Sequence, residues 1–142
     1  MLASIAQWIH ITAAVVGVGG VVFIRLILLP ILRAADPDTA KNLQPRINAR
    51  FVPVLWSCLA LLLITGLYNI GVVAERGFDN LPPGYLHTLA TKLVLVLILI
   101  FSAAVATFPM FERFKSKRPA LLLLNVVLGL AILLLSAFLR RM

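Results

Sequence analysis

The stretch that decides the fold is WIHITAAVVGVGGVVFIRLILLPIL, residues 8–32. It is an almost unbroken apolar run that contains one histidine, His10, and one arginine, Arg25. A helix needs about 20 consecutive apolar residues to cross the hydrocarbon core of a bilayer. The run is therefore long enough to span a membrane, and its ionisable side chains need an explanation.

The composition of the whole chain agrees with a membrane protein. Of its 142 residues, 62% are hydrophobic and only 13% are charged. The mean hydropathy of +1.06 is far above what a water-soluble domain of this size needs for its core. Four apolar segments are long enough to cross a bilayer: residues 2–31, 51–73, 85–110 and 119–139.

The polar connections between these segments are short, at residues 35–46, 74–84 and 111–119. Short connections favour neighbours that run antiparallel in chain order. The spans occupy nearly the whole chain, so we expect a single domain of residues 1–142. The sequence therefore predicts an all-α integral membrane protein, an antiparallel up-down bundle of four transmembrane helices.

The basic residues predict the orientation of this bundle. Most of them flank the first and third connections, and fewer lie on the other side. The positive-inside rule then places both termini on the outer, periplasmic side of a bacterial inner membrane. Topology and attraction to anionic lipid explain the net charge of +8 better than binding to nucleic acid does. The two groups are Arg33, Lys41, Arg46, Arg50, Arg113, Lys115, Lys117 and Arg118, and on the other side Arg76, Arg140 and Arg141.

Polar residues within the spans are costly and often functional. At 1.5 Å per residue, His10 and Lys92 lie about 9 Å and about 10 Å from the outer ends of their spans. Tyr68 and Asn69, near the outer end of the second span, reach a similar depth. No Asp or Glu lies within any predicted span to pair with Lys92. The sequence therefore predicts a polar site near the outer face.

Two glycines lie on the same helical side as His10. At 100° per residue, Gly17 and Gly20 follow His10 along one side of the first helix. Small residues there permit close approach either of another helix or of a flat ligand. Both interpretations stay open at this point.

Haem suits this set of residues best among the ligands of imidazole. Haem can take one axial histidine and fill a groove between apolar helices, and its propionates supply anions for Lys92 or Arg76. His87 is a candidate second axial ligand. A zinc site is not expected, because the chain has one cysteine and two histidines. Copper, with His10 and His87 as transient ligands, is the alternative metal.

The first span resembles the opening helix of the superfamily that joins the membrane domain of copper resistance protein D with the HemJ-type protoporphyrinogen IX oxidases. A later stretch, PPGYLHTLATKLVLVLILI, is similar to a further conserved segment of that superfamily and matches it through Lys92. The resemblance implies a four-helix membrane fold, a b-type haem with His10 as its axial ligand, and a functional role for Lys92. In the first span it is carried by His10, Gly17, Gly20, Phe23 and Arg25.

These observations predict a small membrane protein that binds a b-type haem and serves in electron transfer or as a subunit of a redox complex. The alternatives are a copper transport or resistance protein, a structural subunit without a cofactor, and a porphyrinogen oxidase. No catalytic residue is predicted, because the sequence contains no nucleophile–base pair, phosphate loop or carboxylate pair. The expected partners are the lipid bilayer and either a larger membrane complex or a second copy of the chain.

Overall fold

The computed structural model describes residues 1–75, 77, 80–108, 113, 116–139 and 141. Within these ranges the regular structure is helical and contains no strand. The first span comprises two α-helices on either side of a π-helical segment. The elements are α1 (Leu2–Phe23), the π segment (Ile24–Leu28), α2 (Leu29–Ala34), α3 (Pro37–Glu75), α4 (Tyr85–Thr107) and α5 (Arg118–Leu139).

Four helical stretches of the described residues are long and apolar enough to cross a membrane: Leu2–Ala34, Pro37–Glu75, Tyr85–Thr107 and Arg118–Leu139. Many large apolar side chains on these helices are exposed, such as Leu134, which is 71% accessible. A helix that is apolar on its outward face is suited to contact lipid. For the described residues, the prediction of an all-helical chain with four long apolar helices is confirmed, and this is consistent with a membrane helical bundle.

Helix α1 packs antiparallel against α3. Its residues contact α3 in reverse order, since Gln7 meets Asn69, Gly17 meets Cys58 and Gly20 meets the ring of Phe51. Helix α4 packs extensively against α5, the next helix in the chain. The described helices therefore form two hairpins, α1–α3 and α4–α5.

The two hairpins meet through the α1–α5 seam, where Gly129 of α5 lies against Val18 of α1. A core cluster near this seam draws on all four spans and contains Val21, Leu55, Leu59, Ala103 and Val126. A second link joins α3 to α4, because the indole Nε1–H of Trp56 donates to the Thr107 hydroxyl over 3.2 Å. These contacts hold the hairpins together as a bundle.

The first connection is much shorter than the sequence predicts. Residues 35–46 were expected to be a polar connection, but α3 already begins at Pro37. Asp36 makes this start possible, because its carboxylate accepts the backbone N–H of Thr39 over 2.9 Å and proline suits the first helical turn. Hydrogen bonds from the hydroxyl and then the backbone of Thr39 lower the pKa of the Asp36 carboxyl from its ordinary 3.8.

Two further boundaries differ from the sequence prediction. Helix α4 ends at Thr107 rather than at residue 110, which lies outside the described residues. Helix α3 continues through Pro45 and Pro53 for 39 residues, a length of about 58 Å at 1.5 Å per residue. That is about twice the thickness of the hydrocarbon core. The polar first third of α3 therefore extends past the apolar part of the bundle.

Replacing Gly129 with leucine should weaken the α1–α5 seam. A Cβ at this position would lie 3.1 Å from both Cγ atoms of Val18. Overpacking of this kind costs about 1–3 kcal/mol. The matched control is Gly19→Leu, because a Cβ at Gly19 would meet nothing within 4 Å. Thermal unfolding in detergent should show a lower Tm for Gly129→Leu alone, and equal Tm values for the two variants would contradict this packing.

Candidate cofactor site around His10

His10 lies half-buried on α1 and faces α3. Its Nδ1 atom is 2.7 Å from the hydroxyl oxygen of Thr65, which is itself only 6% exposed. The Thr65 hydroxyl also lies 2.6 Å from the backbone carbonyl oxygen of Leu61, one turn earlier in α3. The imidazole is therefore fixed to the neighbouring helix through one of its two nitrogens.

The hydrogen bonds of Thr65 determine the tautomer of His10. A threonine hydroxyl has a single hydrogen, and two oxygens 2.6 Å apart need a hydrogen between them. The Thr65 hydroxyl consequently donates to the Leu61 carbonyl and accepts the Nδ1–H of His10. A neutral imidazole that carries its hydrogen on Nδ1 has an unprotonated lone pair on Nε2. The side chain thus presents Nε2 as an acceptor or as a ligand.

A glycine lies beside the imidazole on α3. A Cβ at Gly66 would lie 3.6 Å from Cε1 of His10, the ring carbon between the two nitrogens. An ordinary Cβ fits at that distance, but a larger side chain would extend from it toward the ring edge. Glycine at this position therefore leaves space beside the ring edge at Cε1.

Lys92 is a second ionisable residue of the predicted site. It lies half-buried on α4, and its positive charge acts on the imidazole of His10. No carboxylate pairs with Lys92 among the described residues of the spans. A half-buried ammonium without an acidic partner attracts an anion, so the region around His10 and Lys92 is suited to a ligand that carries negative charge.

The other predicted site residues that the structure describes are exposed or bond to groups other than His10. Asn69, which was expected at the same level, donates its side-chain N–H to the Gln7 side chain over 3.2 Å, one turn away from His10. Tyr68 is 41% exposed on the outside of α3, and His87 is exposed in the first turn of α4. Arg76 lies outside the described residues.

The glycine side of α1 is filled by protein. A Cβ at Gly20 would lie 2.8 Å from the ring of Phe51, and a Cβ at Gly17 would lie 3.3 Å from the Cβ of Cys58. Of the two interpretations that the sequence left open for these glycines, helix packing accounts for the space beside them. Their role is to bring α1 and α3 close together rather than to line a groove.

An open apolar groove of 370 Å³ does exist on the α1–α3 pair, but on another flank of α1. It contains neither His10 nor Lys92, and its lining is almost entirely apolar. The groove therefore has room for an apolar group but offers few polar atoms to bind a ligand. Its lining residues are Trp8, Ile9, Thr12, Ala13, Val16, Cys58 and Leu61.

The described part of the chain contains no group of three or more His, Cys, Asp or Glu side chains that could hold a metal ion. Among these residues, His10 offers a single nitrogen rather than a set of ligands. No protein-family model, curated protein or solved structure shows significant similarity to this chain. The resemblance to the copper resistance protein D and HemJ superfamily therefore stays a prediction.

Sequence reasoning did not identify Thr65 or Gln7 as site residues, although a signal was present. Gln7 and His10 are three residues apart on α1, and Thr65 and Asn69 are four apart on α3. Residues three and four apart share a helical face, so each helix carries two polar groups one turn apart. Antiparallel packing brings these pairs together in matching order, as Gln7 with Asn69 and His10 with Thr65.

Removing the Thr65 hydroxyl should remove the preference of His10 for the tautomer that carries its hydrogen on Nδ1. Thr65→Val keeps the shape of the side chain but deprives Nδ1 of its acceptor. In protein labelled with ¹⁵N-histidine and carrying His87→Gln, NMR should show Nδ1 protonated and Nε2 unprotonated at neutral pH. Thr65→Val should lose this preference, whereas Thr65→Ser should retain it. An unchanged spectrum for Thr65→Val would contradict the assigned hydrogen bonds.

Proposed function

We propose that this protein is a small integral membrane protein that binds a b-type haem through His10 and serves in electron transfer or as a subunit of a redox complex. The observation that carries the proposal is the hydrogen-bond chain from Nδ1 of His10 through the Thr65 hydroxyl to the Leu61 carbonyl. Ligand histidines characteristically donate their other ring N–H in this way, which fixes the ring and raises its basicity.

The residues around His10 fit one axial ligand of a haem. Nε2 carries the free lone pair, and Gly66 leaves room beside the ring. Lys92 supplies a positive charge that can bind a propionate. When bound, the haem would supply one-electron redox chemistry, while the chain orients the ligand ring and excludes water.

The alternatives are supported less well by the same residues. Copper transport would draw on several soft or imidazole ligands, whereas His87 is exposed in the first turn of α4 and His10 is bonded to Thr65 between α1 and α3. A purely structural role would explain the Gln7–Asn69 pair and the packing of the glycines. It would not explain the lone pair on Nε2 of His10 or the charge on Lys92.

The visible spectrum of the purified protein tests this proposal. After expression with haem supplied, wild-type protein in detergent should show a Soret band, and His10→Ala should lose most of it. Thr65→Val should weaken haem binding by about 10–100-fold, the effect that loss of a supporting hydrogen bond has on ligand histidines. Wild-type protein without a Soret band would overturn the proposal.

A matched pair of glycine variants tests the space beside the ring. Gly66→Val should block Nε2 and abolish the band, because a side chain there grows toward His10. Gly71→Val is the control, since a Cβ at Gly71 would meet nothing within 4 Å. His87→Ala should keep the band. Equal haem content in Gly66→Val and Gly71→Val would remove this face of His10 from the site.

We also propose that both termini lie on the periplasmic side of a bacterial inner membrane, as the distribution of basic residues favours. The exposed basic side chains Arg33, Lys41, Arg46 and Arg50 all lie toward one end of the α1–α3 hairpin, here called the basic end. In this topology the basic end faces the cytoplasm. His10 then lies near the periplasmic face, where a second copy or another subunit could approach it.

Reporter fusions test this topology. Alkaline phosphatase, which folds only in the periplasm, should be active when fused after residue 142, and green fluorescent protein at the same position should be dark. A fluorescent protein inserted after Asp36, between α2 and α3, should fluoresce instead. The opposite pattern at both positions would reverse the proposed orientation.

A further inference from the structure

Arg25 lies in the most irregular part of the first span. Residues Ile24–Leu28 form a π-helical segment between α1 and α2. Such segments are rare, and they occur frequently at functional sites. Arg25 is half-buried there, whereas Arg33 in α2 and the α3 arginines Arg46 and Arg50 are exposed. The side chain of Arg25 is thus less exposed than those of these three arginines.

The guanidinium of Arg25 lacks a protein partner at its buried atom. Its Nε is shielded from solvent and makes no hydrogen bond. The nearest acidic residues in the sequence are Asp36 and Asp38, both exposed and 11 and 13 residues away along the chain. A buried donor of a charged group is expensive when it is left unpaired. Arg25 therefore needs an anion that the described chain does not provide.

The depth of Arg25 indicates which anions can reach it. The contacts of Gly17 with Cys58 and of Gly20 with Phe51 set the register of α1 on α3. Extending this antiparallel register brings Arg25 level with residues 46–50. At this level the polar first part of α3 gives way to its apolar part. This is where the hydrocarbon core ends and the phosphates of the lipid headgroups begin.

Side-chain direction argues against a simple escape of Arg25 to water. Helical side chains lean toward the N-terminus of their own helix, which for α1 is the opposite end of the bundle. The side chain of Arg25 therefore leaves its helix in the direction of the membrane interior, which agrees with the burial of its Nε. Helix α5 packs against the π segment. The seam between the π segment and α5 is therefore a route by which a phosphate can approach Arg25.

Helix α5 contains a second buried polar atom that has no hydrogen-bond partner. The side-chain oxygen of Asn125 on α5 is also buried without a hydrogen bond, and Asn125 is 6% exposed. The contact of Gly129 with Val18 brings Asn125 level with Val22, about one turn from Arg25. The Asn125 oxygen does not accept from Arg25 in the structure, so both atoms stay open to a ligand at this level.

We propose that Arg25 is the centre of a binding site for the phosphate of an anionic phospholipid, between the π segment and α5 at the basic end of the bundle. The planar guanidinium binds a phosphate with two parallel hydrogen bonds, which a lysine cannot reproduce. Arg46 and Arg50 on α3 and Arg118 at the start of α5 add positive charge at this end. Basic pockets between membrane helices bind anionic headgroups in this manner.

Lipid binding to the purified protein tests this site. Native mass spectrometry in detergent should show wild-type protein that retains phosphatidylglycerol in preference to phosphatidylcholine. Arg25→Gln should lower the affinity for phosphatidylglycerol by about tenfold, the value of one charge-assisted hydrogen-bonded contact. Arg25→Lys should recover only part of it. Arg33→Gln, which removes an exposed arginine of the same span, is the matched control and should bind as the wild type does.

Thermal unfolding in the same detergent gives an independent measurement. Phosphatidylglycerol should raise the Tm of the wild type and of Arg33→Gln but not that of Arg25→Gln, and inorganic phosphate should raise none. Equal lipid affinity of Arg25→Gln and the wild type would overturn the proposal. An equal effect of inorganic phosphate, or of phosphatidylcholine, would overturn the assignment to an anionic lipid. If Arg25→Gln does not fold, Arg25→Lys against Arg33→Lys makes the same comparison.

Discussion

Hydrocarbon offers no hydrogen-bond partner, so a polar side chain in a span must find one within the protein. Five hydroxyls of this chain show how that is done. Each of a set of serines and threonines donates to the backbone carbonyl four residues earlier in its own helix, which satisfies the hydroxyl without a second helix. These residues are Thr65, Thr88, Thr91, Thr107 and Ser136. A hydroxyl satisfied in this way can still accept one hydrogen bond from a neighbour.

Two of these hydroxyls use that remaining capacity to connect helices. Thr107 accepts from the indole of Trp56 and joins α3 to α4, and Thr65 accepts from His10 and joins α1 to α3. The second contact depends on the close approach that Gly17 and Gly20 allow, since threonine and histidine are too short to meet across widely spaced helices. Helix packing by the glycines and the chemistry of His10 are thus parts of one arrangement.

The polar groups left without partners are informative for the same reason. Among the described residues, Nε of Arg25 and the side-chain oxygens of Ser102 and Asn125 are buried without a hydrogen bond. His10 and Lys92 lie toward the opposite end of the bundle from Arg25. Each is a group that hydrocarbon does not tolerate alone. A haem beside His10 and Lys92 and a lipid phosphate beside Arg25 would pair with these groups, and both ligands carry negative charge.

The sequence by itself determined the four membrane helices, because continuous apolar runs of this length have few other stable structures, and it identified His10 and Lys92, because ionisable residues stand out in such runs. It did not determine the partner of His10, the start of α3 at Pro37 or the packing of Gly17 and Gly20. Those features depend on the register of one helix against another. Register is set by side-chain packing between segments far apart in the chain, and only the tertiary structure decides it.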